Sequence, residues 1–271
     1  MHLRIVHDTQ YRYDEAASLI VQALRMWPAT SEGQIIKRWR VEVDGQLLRP
    51  TCSDGFGNPV ATHTIDRLVD SVRLSVRGNV ETQDLHGVHG NGASPLPPMF
   101  FHAATELTTS TPAIDAMARS SAGAGSDLER LHRLCNAVRD RVDYLPDMTD
   151  AETTAAEAFA NEAGVCQDHA HVMIAASRAL GYAARYVSGY LCPLDVDTPA
   201  ASHAWAEVFV DNLGWVGFDA ANRKSPDERY VRIGCGRDYR DAAPVRGVRL
   251  GGVAETLHVE VNIAETTQKA R

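Results

Sequence analysis

Basic residues are too few in this chain for a typical nucleic-acid-binding protein. Its 271 residues include 27 Lys and Arg against 35 Asp and Glu, which gives a formal net charge of -8. Because a duplex-binding surface normally needs a basic excess, we expect no nucleic-acid partner. The chain also lacks an apolar stretch of membrane-spanning length and the apolar run of a secretory signal. We therefore expect a soluble, cytoplasmic protein with no membrane partner.

Cysteine is scarce, and its spacing argues against the usual cysteine-based frameworks. The number is odd and no Cys-x-x-Cys pair occurs among the five: Cys52, Cys135, Cys166, Cys192 and Cys235. A disulfide framework and a zinc ribbon are therefore both unexpected. Cys135 falls within an apolar helical pattern, which indicates a buried thiol.

The first 85 or so residues predict an antiparallel β-domain. Apolar and polar residues alternate along 3–13, 39–43 and 72–76, which is the period of a half-buried strand. Turn residues separate these runs, including Asp44-Gly45 and the cluster at 54–59. The following segment, Gly87 to Pro98, is rich in Gly, Pro, His and Asn, which predicts a loop or linker. We place the N-terminal domain at residues 1–98.

Beyond this linker the apolar period becomes helical. Capping boxes at Ser126 and Thr154 predict two helices, the second of which ends at Gly164. A third helix should run from about Cys166 to Leu180 and stop at Gly181. Strands are then predicted at 182–191, 204–210, 215–218 and 256–263. We expect residues 99–271 to form an α+β core with a C-terminal strand.

The segment Gly164 to His171 places a cysteine at the start of the third predicted helix. The unpaired N–H groups of a first helical turn favour negative charge, so Cys166 is well placed to act as a thiolate nucleophile. The same amides could hold the oxyanion of a tetrahedral intermediate. On this segment alone, a small buried residue in the first helical turn is about equally plausible.

A predicted hairpin brings two further candidates together. His203 leads one strand, the turn 211–214 follows, and Asp219 ends the returning strand. If the strands pair antiparallel, His203 and Asp219 lie close enough for a hydrogen bond between their side chains. A carboxylate that orients an imidazole, which in turn faces a thiol, is the arrangement that acyl transfer requires.

Three segments resemble the catalytic blocks of the bacterial transglutaminase-like superfamily. They are Gly-Val-Cys-Gln-Asp-His-Ala-His at 164–171, Ser-His-Ala-Trp-Ala-Glu-Val at 202–208 and Gly-Trp-Val-Gly-Phe-Asp-Ala-Ala-Asn at 214–222. The first 85 or so residues are similar to the β-rich domain that often precedes such cores, and 236–247 resembles the family's C-terminal tail. One departure is Ala220, where the wider superfamily often has proline; we expect it to alter a local turn rather than the chemistry.

The resemblance implies a papain-like core and a catalytic triad of Cys166 as nucleophile, His203 as base and Asp219 as orienting acid. It implies a thioester enzyme acting on the amide bonds of a peptide or protein substrate, without a cofactor. We weakly prefer a peptidase or amidase, because the sequence shows no site for an acceptor amine. A transglutaminase and a non-catalytic peptide-binding module are the alternatives. The sequence contains no signal for an oligomeric state.

The histidines near Cys166 raise the alternative of a metal site. Cys166 and His169 would share a helix face while His171 points elsewhere, and no other Cys/His pair has zinc-like spacing, so we expect no metal. Both histidines are expected to pack around the site instead. For the remaining nearby polar and aromatic residues we favour structural roles: helix capping for Asp168, a turn for Asn222, packing for Tyr144, and core or pocket walls for Trp205 and Trp215.

Overall fold

The computed structural model describes residues 1–91, 94–146, 148–194, 201–252 and 254–266. Along these residues the strands are β1 (His2–Ala17), β2 (Leu19–Leu24), β3 (Gln34–Val43), β4 (Gln46–Leu48), β5 (Cys52–Ser53), β6 (Pro59–Ile65), β7 (Val69–Thr82), β8 (Val88–Gly90), β9 (Asp143–Tyr144), β10 (Ala163–Gly164), β11 (Ala184–Leu191), β12 (Ala201–Val210), β13 (Gly214–Phe218), β14 (Tyr230–Gly236), β15 (Val245–Leu250) and β16 (Glu255–Glu265).

Among the described residues, the helices all follow β8 along the chain. They are α1 (Pro112–Ala122), α2 (Asp127–Arg141), α3 (Ala155–Asn161), α4 (Cys166–Ala179) and α5 (Tyr239–Ala242), with short 3-10 helices at Pro98–His102 and Glu106–Thr108. Both predicted capping boxes are present, at Ser126 for α2 and at Thr154 for α3. The helix predicted to start at Cys166 is α4, and Gly181 follows its end in the left-handed region at φ +88.

Two antiparallel sheets contain the strands of the first 85 residues, as predicted. One has the strand order β16-β1-β7-β3-β4 and the other β15-β2-β6-β5. Most buried residues of these strands pack into one cluster, which includes Leu24, Val41, Val43, Leu74 and Val76. The prediction of an antiparallel β-domain is therefore confirmed, whereas its boundary at residue 98 stays a prediction.

The two C-terminal strands, β15 and β16, were not correctly placed by sequence reasoning. The predicted last strand exists as β16, but it pairs with β1 in the N-terminal sheet rather than with the core. β15, which was not predicted, pairs with β2. Both additions complete edges of sheets whose other strands lie about 200 residues earlier, and such pairing leaves no local pattern in the sequence.

The predicted linker also contains a strand. β8 pairs antiparallel with β13 and so becomes an edge of the core sheet. The two strands approach closely at Gly214, where an added Cβ would lie 2.2 Å from the carbonyl carbon of Gly90. Close packing of these strands therefore requires glycine at position 214, whereas a Cβ added to Gly90 would meet nothing within 4 Å. Within the same predicted linker, Gly92 and Ala93 lie outside the described residues.

The core sheet has the order β14-β11-β12-β13-β8, and α4 packs across β12 and β11. The helices α1, α2 and α3 surround α4 on its other sides. For this reason ten consecutive residues of α4, from Asp168 to Ser177, are buried. A helix that is covered all round is held rigidly, so the residue at its first position is well fixed. The predicted α+β fold, with a cysteine-bearing helix packed on an antiparallel sheet, is confirmed. Among the described residues, no helix is long and apolar enough to cross a membrane.

Candidate active site

Cys166 is the first residue of α4, and its free thiol is half-buried. The chain enters the helix from β10, which pairs in parallel with β9. Val165 is the N-cap, with an extended backbone and no hydrogen bond from its side chain. The first N–H groups of a helix have no acceptor within the helix, so the positive end of α4 lies at the thiol.

Asp168 fixes the backbone on which the thiol is mounted. Its Oδ2 accepts from the N–H of Val165 at 2.7 Å and from the hydroxyl of Thr149 at 2.6 Å. A Cβ on Gly164 would lie 2.6 Å from this carboxylate, so only glycine leaves room for it. The interpretation of Asp168 as a cap agrees with these contacts. The prediction that the preceding helix ends at Gly164 is wrong: α3 ends at Asn161, because Glu162 adopts a left-handed conformation at φ 55.

His203 and Asp219 meet as the hairpin prediction requires. β12 and β13 pair antiparallel, and Asp219 directly follows β13. His203 Nε2 lies 2.6 Å from Asp219 Oδ2, and only 9% of the histidine side chain and 1% of the aspartate side chain are exposed. In this setting the pair is shielded from water, so its electrostatic interaction is strong.

Asp219 accepts further hydrogen bonds from two residues. Its Oδ2 accepts from the Tyr230 hydroxyl at 2.7 Å and from Asn222 Nδ2 at 2.7 Å, and its Oδ1 accepts from the Asn222 N–H at 3.2 Å. Burial alone would raise the pKa of Asp219, but His203 and these donors lower it below its ordinary value. The carboxylate is therefore held charged and in one orientation.

Sequence reasoning missed part of this support. Asn222 does lie in a turn, as predicted, but its side chain also bonds the carboxylate and comes within 3.4 Å of His203 Nε2. Tyr230, which opens β14, had not been singled out. β14 pairs with β11 and not with the β12–β13 hairpin, so only the assembled sheet reveals the contact.

Cys166 lies close enough to the His203 ring to affect its pKa. Burial would lower the pKa of His203, but the charge of Asp219, the hydrogen bond to Asp219 and the neighbouring Cys166 raise that pKa to about 10. Since Nε2 faces Asp219, Nδ1 is the ring nitrogen left for the thiol. The ring of Trp205 stacks beside the imidazole at 6.3 Å between centroids. The structure thus brings together the three side chains that the sequence selected.

The two neighbouring histidines pack into the core. His169 has its Nδ1 2.8 Å from the carbonyl oxygen of Val165 and its Nε2 2.9 Å from that of Val142. His171 Nε2 accepts from the N–H of Tyr239 at 3.1 Å, and burial lowers the pKa of His171 to about 3. Within the part of the chain that the structure describes, no three His, Cys, Asp or Glu side chains are grouped to hold a metal ion.

Of the aromatic residues near the site, Tyr144 is exposed, whereas Trp205 and Trp215 are buried. Tyr144 is 43% exposed, and burial of its hydroxyl together with the nearby charges of Cys166 and Asp219 raises its pKa. Trp205 and Trp215 are each 1% exposed, as expected for core or pocket-wall residues. Tyr144 packs against the His169 ring, at 6.0 Å between centroids, and is at the same time partly exposed near the thiol.

Comparison with known proteins agrees with this geometry. Residues 115–220 match the model of the transglutaminase-like superfamily, and residues 3–81 match that of the bacterial transglutaminase-like N-terminal region. The uncharacterized protein Rv2569c of Mycobacterium tuberculosis (strain ATCC 25618 / H37Rv) is 31% identical over 277 residues, covering 90% of this chain and 86% of its own. The uncharacterized protein ML0607 of Mycobacterium leprae (strain TN) is 29% identical, covering 96% of this chain and 98% of its own.

A solved structure shares the fold over nearly the whole chain. It is the crystal structure of "a Putative Cysteine Protease from Cytophaga hutchinsonii", with a TM-score of 0.78 and 23% identity, covering 98% of this chain and 92% of its own. The resemblance drawn from the three sequence segments is confirmed. This chain belongs to the transglutaminase-like superfamily and carries the bacterial transglutaminase-like N-terminal region.

Proposed function

We propose that this protein is a cysteine-nucleophile enzyme that acts on amide or peptide bonds through a thioester on Cys166. The observation that carries the proposal is the buried pair of His203 and Asp219, 2.6 Å apart, with Cys166 close enough to the same imidazole to raise its pKa. Nucleophile, base and orienting acid are the three roles that acyl transfer assigns to such a set.

In the first step the Cys166 thiol gives its proton to His203. The raised pKa of His203 supports this direction of transfer, because the charge of Asp219 stabilises the imidazolium that forms. The thiolate is stabilised in turn by the N-terminal end of α4. Asp219, which Tyr230 and Asn222 hold in place, keeps the imidazole oriented while its charge changes.

In the second step the sulfur attacks the carbonyl carbon of the substrate. The carbonyl oxygen gains the negative charge, and backbone N–H groups at the start of α4 stabilise it. The intermediate then collapses: the carbon–nitrogen bond breaks, and the proton on His203 passes to the leaving amine. The acyl group remains on Cys166 as a thioester.

Water resolves this thioester in a peptidase or amidase, whereas a second amine resolves it in a transglutaminase. We prefer hydrolysis because no feature of the sequence marks a site for an acceptor amine, and water needs none. The half-exposed position of Cys166 leaves the sulfur within reach of water. The similar fold described as a cysteine protease from Cytophaga hutchinsonii favours the same choice.

The decisive experiment is incubation with a library of glutamine-containing peptides, with and without a labelled primary amine. We expect peptide cleavage or ammonia release without amine incorporation, and no product from Cys166→Ala. The matched control is Cys52→Ala, since Cys52 is an exposed free thiol outside the site. Amine incorporation that outpaces hydrolysis would establish the transglutaminase instead.

The non-catalytic peptide-binding alternative has its own test. A Cys166 thiolate beside an imidazolium should react with iodoacetamide much faster than Cys52 at pH 7, as measured by mass spectrometry of the labelled peptides. Equal reactivity of the two thiols, together with peptide binding but no turnover, would favour the binding module.

A further inference from the structure

A cavity of about 400 Å³ lies between the N-terminal sheets and the core sheet, apart from the Cys166 thiol. The N-terminal residues contribute Gly33 and Phe56 to its wall, and the core contributes Arg185 and Arg232. Its volume falls in the range of small-molecule sites. Nothing in the proposed mechanism uses this cavity.

The cavity wall contains two guanidinium groups that share one carboxylate. Glu207, which is fully buried, accepts from Arg185 Nε at 2.6 Å and from Arg232 Nε at 2.8 Å. The neighbouring His89 is held neutral, because burial lowers its pKa. One positive charge is therefore left without a buried counterion. Glu32 also borders the cavity, but it is exposed, so water screens its charge.

Two groups facing this cavity have unused hydrogen-bonding atoms. Arg185 lines the cavity and is only 4% exposed, and within the described residues its guanidinium uses only Nε for a hydrogen bond. Its Nη1 and Nη2 atoms are not fully buried and so remain available to a molecule in the cavity. The guanidinium is held in place by the Trp215 ring, whose centroid is 3.9 Å from Cζ. His89 Nε2 is buried without a hydrogen-bond partner among the described residues. A buried polar atom without a partner is costly, and a bound ligand that reached it would remove that cost.

The walls of this cavity are held together by amide side chains. Gln34 binds the main chain of Arg232, with Oε1 accepting from its N–H at 2.8 Å and Nε2 donating to its carbonyl at 2.9 Å. Asn58 binds the main chain of Cys235 in the same two-fold way, at 2.8 and 2.7 Å. These bonds join the N-terminal sheets to β14 on two sides of the cavity, so the site is preformed.

We propose that this cavity is a binding site for a carboxylate attached to a short apolar group, such as the C-terminal residue of a peptide or a free N-acylated amino acid. The Nη1 and Nη2 edge of Arg185 presents two parallel N–H groups, which match the two oxygens of a carboxylate. Phe56 and Ile233 supply apolar surface beside this charge. A single uncompensated positive charge suits a monoanion.

The site lies on the same face of β12 as the proposed catalytic histidine. His203, Trp205 and Glu207 alternate along the strand, so Glu207 lies roughly 13 Å from His203. A smaller cavity of about 30 Å³ borders the same His89 and Arg232 and reaches Trp205 and Tyr230. The carboxylate site is nevertheless independent of the thioester chemistry, and either can fail alone.

The test is titration calorimetry with N-acetyl-leucine and, as its uncharged match, N-acetyl-leucinamide. We expect the acid to bind and the amide to bind at least about tenfold more weakly, because the amide lacks the charge-assisted bonds. A peptide with a free C-terminus, compared with its amidated form, tests whether the carboxylate of a peptide binds at the same site. Equal binding of acid and amide, or no binding of any free carboxylate, would overturn the proposal.

Three variants localise the binding. Arg232→Gln leaves Glu207 paired with Arg185 and should weaken acid binding by about tenfold or more. Glu32→Gln, on the surface, should tighten it by about twofold. Cys166→Ala should bind as the wild type does, which separates this site from catalysis. Unchanged affinity in both Arg232→Gln and Glu32→Gln would contradict the assignment, even if the acid binds elsewhere.

Discussion

β12 carries two buried charge clusters on one face, and they differ in how their charges are balanced. At one end, the carboxylate of Asp219 pairs with His203 and is surrounded by neutral donors from Tyr230 and Asn222. At the other end, the carboxylate of Glu207 is shared by two guanidinium groups. The first cluster is balanced when His203 is protonated, whereas the second keeps an excess positive charge.

This difference indicates what each cluster is built to do. In the first cluster the charge changes when His203 gains or loses a proton, and the nearby thiol of Cys166 can supply that proton. The guanidinium groups of the second cluster cannot release their protons at ordinary pH, so they stabilise structure or bind an anion. The proposed chemistry thus belongs to one end of the strand and the proposed anion binding to the other.

The largest expected effect comes from Asp219→Asn, which removes the charge from the first cluster. We expect kcat/KM to fall by about 10³- to 10⁴-fold, because the imidazolium loses its counterion and His203 its orientation. The alkaline limit of activity should also move down from about pH 10, the pKa to which Asp219 and Cys166 raise His203, toward the ordinary 6.5. Rates measured from pH 5 to 11 would check both effects. An unchanged profile would mean that Asp219 does not act on the catalytic base.

Glu207→Gln, which removes the negative charge from the second cluster, should lower the stability of the protein. It leaves the buried guanidinium of Arg185 and the partly exposed one of Arg232 without their counterion, so the free energy of unfolding should fall by about 3–5 kcal/mol. Urea unfolding would measure this loss. Glu260→Gln, at an exposed position, is the matched control and should change stability little. If Glu207→Gln proves as stable as the control, the cluster does not hold the sheet together.

The pH dependence of stability should also separate the clusters. The pKa of His203 is raised from 6.5 to about 10, so its protonated ring contributes fully to folding below pH 6.5, and that contribution is lost as the pH rises toward 10. The pKa of Asp219 is lowered, so its contribution is lost only as the pH falls below its ordinary 3.8. We expect the wild type to lose on the order of 4 kcal/mol between pH 6.5 and 10. Asp219→Asn should lose much less over this range, and parallel curves for the two proteins would contradict the coupling.

The smallest effect is expected from Tyr230→Phe, which removes one of three side-chain donors to Asp219 Oδ2. Because Asn222 and His203 remain, kcat/KM should fall only about tenfold, equivalent to about 1.4 kcal/mol. Tyr190→Phe is the matched control, since that hydroxyl bonds His7 and not Asp219. A loss in the control as large as in Tyr230→Phe would indicate a general packing effect.

Much of the proposed catalytic site could be predicted because its signals are local. Gly164, two residues before Cys166, marked the start of α4, and one hairpin with a short turn brought His203 beside Asp219. The chain distance in that hairpin is 16 residues, so period and turn chemistry were enough to predict the contact. The resemblance to a known family rested on the same short segments.

The residues that sequence reasoning missed are joined over long distances. Tyr230 reaches Asp219 only because β14 enters the sheet beside β11, and the cavity exists only because Gln34 and Asn58 bind main-chain groups about 180–200 residues later. Arg185, Glu207 and Arg232 stand on three different strands, and none of them is unusual in its local sequence. Their shared burial and their excess charge arise from strand order.

The amino-acid sequence by itself determined helices α2 and α4, most of the longer strands and which three side chains could carry out acyl transfer, because periodicity, capping and turn chemistry act between near neighbours. Only the tertiary structure decided where β8, β15 and β16 pair, which donors surround Asp219, and that two arginines share a single buried glutamate. Those outcomes depend on which surfaces meet when water is excluded, and that is a property of the assembled sheets rather than of any segment.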